Sequence, residues 1–252
     1  IFKSTYSQRL IKGTTVIFSL AVYSAMLSAL AEVITSMIPL SPAVAGLVVT
    51  VLAVAVFIKG TDRVFAFNGV IGIGLVFFMT FAILYILTWR EIHTFSPVVL
   101  RSAGDGFVYG GYNLVTLTPV LISLSKRLST KTDALTVTLT ATFITSILIG
   151  LVFVLLSIYH NKIELGPLPL LTLAKRQSVG FGIFYTFILS FAIITTLLSS
   201  GGAVIDSLAI KEKPLCIGAV SVLAYGLSGI GFSNLINIAY RLCGIAGIFV
   251  CG

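Results

Sequence analysis

Three stretches of the chain, residues 64–88, 134–159 and 178–205, contain no charged residue. Each is long enough to cross a hydrocarbon core of about 30 Å, which takes roughly 20 apolar residues in a helix. In lipid every backbone N–H and C=O must be bonded internally, and continuous apolar runs meet that demand as helices; a membrane barrel would need alternating ones. The expected fold class is therefore all-α integral membrane, with several spans. Composition agrees: 58% of the 252 residues are hydrophobic and 10% are charged, against about 25% charged in soluble domains.

Eight apolar segments can be read along one transmembrane domain, at about 13–37, 40–58, 64–88, 97–127, 134–159, 178–205, 214–230 and 242–252. The first residue is Ile1 and the last segment stops within an apolar run, so the chain is expected to be part of a longer protein. The formal net charge of +8 lies between the segments and is read as loop charge, not as a nucleic-acid surface. With the N-terminal end in the cytoplasm, ten basic residues fall inside (Lys3, Arg9, Lys12, Lys59, Arg63, Lys126, Arg127, Lys131, Lys211, Lys213) and six outside. That bias favours a multi-pass cell-membrane protein in this orientation. The outer loop 160–177 contains Pro167 and Pro169 and suits either a short helix over the outer mouth or a plain connector. Trp89 and Arg90 mark the outer end of the third segment, where Phe77, Phe78, Phe81 and Tyr85 read as lipid-facing or packing residues. Cys216, Cys243 and Cys251 have no metal-binding spacing, and neither His93 nor His160 lies near other ligand types in sequence.

The fourth segment departs from a plain span. Gly110 and Gly111 sit near its middle, Tyr112 and Asn113 follow, and Pro119 comes later. Each glycine weakens a helix by roughly 1 kcal/mol relative to Ala. Pro119 lacks the N–H that would bond the Val115 carbonyl. A helix broken near 109–113 is expected, with Pro119 a separate bend. Released backbone groups cannot face lipid and must line a cavity or bind something. The start of the inner half-helix favours an anionic group, and Asn113 sits there. The competing reading is a close crossing point of two helices, which small residues also permit.

Other segments carry small polar residues at helical spacing. Ser24, Ser28, Glu32 and Thr35 share a face of the first, and Thr138, Thr142 and Thr145 a face of the fifth. Such residues commonly bond one helix to another. The sixth concentrates Thr195, Thr196, Ser199, Ser200, Gly201 and Gly202, whose hydroxyl oxygens suit a hard cation or a substrate. Glu32 is the one acid well inside an apolar run, either a proton site or a side chain reaching the outer interface. Asp206, near Lys211 and Lys213, reads as a loop-side charge.

The stretch Tyr109-Gly110-Gly111-Tyr112-Asn113-Leu114 resembles the broken sixth helix of the amino acid–polyamine–organocation (APC) superfamily, and within it the YkvI-like membrane proteins. Residues 227–236, followed by Tyr240, resemble the segment between the ninth and tenth helices. Phe191-Ala192-Ile193-Ile194-Thr195-Thr196 resembles the eighth, where sodium-coupled members place a Ser/Thr pair on an ion. The resemblance implies a LeuT-like inverted-repeat transporter fold, with the eight segments as the third to tenth helices and the first two missing. Arg241 stands where a helix-starting proline is expected.

The resemblance also implies secondary active transport of a small organic solute, an amino acid or related compound, by alternating access. The solute is expected at Gly110, Gly111, Tyr112 and Asn113, with Tyr23 and Ser24 lining the pocket. Thr195 and Thr196 would hold a sodium ion, and Glu32 is the proton alternative. No further cofactor is implied; the partners are the solute and the bilayer. A ligand-sensing receptor on the same fold, like a germinant-receptor subunit, is the second reading. An enzyme is not expected, because convergent His, Asp or Glu at membrane depth are wanted and only Glu32 qualifies.

Overall fold

The computed structural model describes residues 5–88, 110, 111, 113, 130–159, 168–208 and 213–238. Among these, all regular structure is helical. The helices are α1 (Thr5–Thr35), α2 (Pro42–Ile58), α3 (Thr61–Leu87), α4 (Lys131–Tyr159), α5 (Pro169–Gln177), α6 (Val179–Leu208), α7 (Lys213–Ser228) and α8 (Phe232–Ile238). Four are long and apolar enough to cross a membrane: α1 over Gly13–Thr35, α3 over Asn68–Leu87, α4 and α6. α7 and α8 add a fifth span if the pair, bent by 103°, counts as one. α2 is apolar but only 17 residues long. The segments expected at 97–127 and 242–252 lie outside the described residues, apart from Gly110, Gly111 and Asn113, as do Trp89, Arg90, His93, His160, Cys243 and Cys251.

The boundaries follow local chemistry. Ser41 caps α2, its hydroxyl accepting from the Val44 N–H at 3.3 Å, and Pro42 opens the helix where no N–H is needed. Thr130 and Asp133 form a reciprocal cap on α4. The Thr130 N–H donates to Asp133 Oδ2 and the Asp133 N–H to Thr130 Oγ1, both at 3.1 Å. Ser178 caps α6 by accepting from the Phe181 N–H at 3.1 Å. Between α7 and α8 the chain turns at Gly231, whose φ of +92° is open to glycine and strained for other residues.

The chain divides into two compact units. The first comprises Ile1–Gly69, Leu100–Ile122 and Ile193–Gly252. Here α1 packs on α2 and α7, and α2 packs on α7. From Val22 to Val33 most of α1 is buried on all sides, as befits a helix that is apolar or small-residued all round. α2 buries one stripe, Ala45, Gly46, Val49, Thr50, Ala53 and Phe57, and exposes Leu47, Val48, Val51, Leu52 and Ile58. An apolar exposed face of this size is what lipid contact calls for.

The second unit comprises Val70–Val99 and Ser123–Ala192. Ile83, Ile86, Leu155, Tyr159 and Leu173 form one core cluster; Ala82, Leu171, Ala174 and Tyr185 form another. Leu171, Leu173 and Ala174 belong to α5, so the segment around Pro169 is a nine-residue helix and not a plain connector. Lys175 and Arg176 in its last turn complement the helix dipole. Phe77, Phe78, Phe81 and Tyr85 are exposed, and Phe78 and Tyr85 meet Phe184 and Phe181 with ring centroids 5.9 and 4.7 Å apart. Packing aromatics with outward faces match the sequence expectation for this group.

Candidate functional site

Two polar junctions lie in the first unit. The first is centred on Tyr23 of α1, which is 0% exposed. Its ring meets Phe57 of α2 edge-on at a centroid distance of 6.0 Å, and its hydroxyl shares a 3.4 Å hydrogen bond with Ser221 Oγ of α7. Gly201 of α6 makes the close fit possible. A Cβ there would meet Phe57 Cζ at 2.6 Å and Tyr23 Cδ2 at 3.2 Å. Tyr23 and Phe57 are both buried. At Gly201 α6 thus comes close against α1 and α2.

Ser24 is also 0% exposed, and its hydroxyl donates to the Leu20 carbonyl at 2.8 Å. Tyr23 and Ser24, expected to line a pocket, are therefore both buried and engaged inside the protein. Ser28 is buried, while Glu32 and Thr35 are half-buried in the last turn of α1. The Glu32 carbonyl accepts from Thr35 Oγ1 at 3.0 Å. In the fifth segment Thr138, Thr142 and Thr145 are all exposed, and Thr138 Oγ1 bonds its own helix at the Ala134 carbonyl, 2.8 Å away.

The second junction was not anticipated. Asn68 of α3 donates through Nδ2 to the Thr195 carbonyl at 3.2 Å and to Ser199 Oγ at 2.6 Å, both on α6. Its Oδ1 is buried and has no hydrogen-bond partner among the described residues. A buried acceptor left in that state costs about 1–3 kcal/mol. The signal for Asn68 was present in the sequence as the one carboxamide in a charge-free apolar segment.

Thr195 is half-buried and Thr196 exposed, since neighbouring helical positions point about 100° apart. The Thr196 carbonyl accepts from the Ser200 hydroxyl. Asp206 is exposed at the end of α6. Among the described residues no three His, Cys, Asp or Glu side chains come together. Among the described residues, the two junctions are made of hydroxyls, a backbone carbonyl and the Asn68 amide.

At the fourth segment Gly110 is exposed, Gly111 buried and Asn113 half-buried, while Tyr112 lies outside the described residues. Gly110, Gly111 and Asn113 carry helical backbone, so the unwinding expected at 109–113 is not present at these three positions. Two glycines lower helix propensity by only about 2 kcal/mol, which weakens a helix without forbidding it. A Cβ built on Gly110 would meet none of the described residues within 4 Å.

No family model matches the chain, and no curated protein or solved structure matches it.

Proposed function

We propose that the protein is a secondary active transporter of a small organic solute, built on a LeuT-like inverted repeat and related to the YkvI-like members of the APC superfamily. The observation that carries this reading is which helices assemble. If the eight segments are the third to tenth of ten helices in two inverted halves, α1 and α2 are the third and fourth of one half. Their counterparts in the other half are α6 and α7. These four meet at one place: α1 packs on α2 and α7, and Gly201 of α6 abuts Tyr23 and Phe57. A pseudo-two-fold axis in the membrane plane brings corresponding pairs together in this way. The helices long enough to span, and the buried amide and hydroxyls between them, support the same reading.

In this scheme the four-helix junction is the fixed scaffold and the fourth segment is the moving, solute-contacting element. The solute meets it at Gly110–Asn113, where glycine lets a ligand come close to the backbone and Asn113 supplies a hydrogen-bonding amide. A coupling cation binds on α6 near Thr195. The N-terminal end lies in the cytoplasm. The test is counterflow in proteoliposomes holding the full-length protein, with amino acids as first candidates. Exchange of labelled solute that is lost in Asn113→Ala and Gly111→Leu at normal expression supports transport. Saturable solute binding with no flux supports the ligand-sensing receptor instead.

A further inference from the structure

The Asn68 amide is oriented by its own hydrogen bonds. Both hydrogens of Nδ2 face oxygens of α6, the Thr195 carbonyl at 3.2 Å and Ser199 Oγ at 2.6 Å. The amide oxygen consequently points away from them and stays buried, with no partner among the described residues. Exchanging the O and N positions would place Oδ1 against the Thr195 carbonyl, two acceptors facing each other with nothing between them. The observed orientation is therefore the right one for the amide by itself, and it strands one oxygen. The positive ends of two N–H bonds stand at the oxygen pair where a small cation would also be stabilised.

We propose that Asn68 is the rotating ligand of a monovalent-cation site. A small hard cation takes the place of the amide hydrogens between the Thr195 carbonyl and the Ser199 hydroxyl. The amide turns about its Cβ–Cγ bond, and Oδ1 becomes the third oxygen ligand. Carbonyl, carboxamide and hydroxyl oxygens are the donors that hard cations prefer. All three ligands are neutral, which suits a single charge better than a double one. The turn gives the stranded oxygen a partner and moves Nδ2 into the place that Oδ1 leaves. Because Asn68 is on α3 and both other oxygens are on α6, the ion joins the two helices through charge where the amide joins them through hydrogen bonds. The site differs from the one expected at the Thr195 and Thr196 hydroxyls: it uses the main-chain oxygen of Thr195 and does not use Thr196.

The inference rests on the transporter reading for the purpose of the ion and on local geometry for its binding. The experiment is thermal unfolding of the full-length protein in detergent, titrated with NaCl or LiCl against choline chloride at constant ionic strength. The wild type is expected to show a saturable rise in midpoint specific to the small cation. Asn68→Ala and Ser199→Ala are each expected to weaken the apparent affinity at least tenfold. Asn68→Asp, which supplies a charged oxygen, is expected to tighten it. A saturable wild-type effect that survives unchanged in Ser199→Ala, or in a folded Asn68→Ala, overturns the site while leaving cation coupling standing. The Ser199 variant decides the matter if Asn68→Ala does not fold. Solute counterflow by a wild type with no saturable cation effect overturns the site and leaves transport intact.

Discussion

At the scale of single residues, the first unit depends on one missing side chain. Gly201 admits the Phe57 ring to within 2.6 Å of where its Cβ would be, with Tyr23 closing the other side. Gly201→Leu is expected to destabilise by about 1–3 kcal/mol, the usual cost of overpacking a core that cannot yield. Cys216, 4% exposed, provides the readout in a background lacking Cys243 and Cys251: a thiol-reactive dye should label it at a lower temperature in the variant. An unchanged labelling midpoint would show that Phe57 has room to move. Tyr23 separates packing from hydrogen bonding. Its bond to Ser221 is long at 3.4 Å, so Tyr23→Phe should cost no more than about 1 kcal/mol. Tyr23→Ala removes a ring that is 0% exposed and should cost about 3–5 kcal/mol by the same assay. Equal losses in the two variants would put the energy in the hydroxyl. In sequence, Ser24 stands on the polar face of the first segment, and Tyr23 beside it is expected at the pocket only through the family resemblance. Their engagement with Phe57, Ser221 and Leu20 is not legible, because it depends on which helices arrive there.

At the scale of elements, caps and turns were the most legible features. The start of α4 is written locally in Thr130 and Asp133, whose reciprocal 3.1 Å bonds satisfy two otherwise unpaired amide N–H groups. Asp133→Ala should cost about 1 kcal/mol of helix-end stability. Hydrogen exchange at the first turn of α4 should speed up roughly fivefold, the equivalent of that energy, while exchange at Leu155 stays unchanged. Equal acceleration along the whole helix would mean that the cap holds the element and not merely its end. The α7–α8 turn is equally local. Gly231 has φ +92°, and Gly231→Val should cost about 1–2 kcal/mol by forcing a β-branched residue into that region. Spin labels on exposed Val222 and Ile238 would then report a changed distance across the 103° bend. The helical backbone at Gly110, Gly111 and Asn113 shows the opposite case. Weak local preference, worth about 1 kcal/mol per glycine, did not decide the conformation of those residues.

At the scale of the whole molecule, the loop charges make a directional claim. Lys59 and Lys175 are both exposed and were assigned to opposite sides of the membrane. In right-side-out vesicles and a cysteine-free background, Lys175→Cys is expected to react with a membrane-impermeant maleimide. Lys59→Cys is expected to react only after permeabilisation. The reverse pattern would invert the topology and, with it, the assignment of α5 to the outer side. The transport prediction belongs at this scale too, because alternating access is a property of the assembled repeats and not of any one helix.

The sequence alone determined that this is a helical membrane protein, where most of its described helices run and how several of them start. Each of those outcomes is set by free energies local to a segment: transfer of an apolar run to lipid, a satisfied N-cap, a glycine at a positive φ. Only the tertiary structure decided which polar residues meet. Asn68 and Ser199 are separated by 131 positions, yet lie 2.6 Å apart. Tyr23 and Ser221 are separated by 198. Nothing in a residue's own segment records such a partner, because the choice is made by the packing of whole helices. The small residues that allow that packing, Gly201 foremost, show where a helix can come close without showing which helix will.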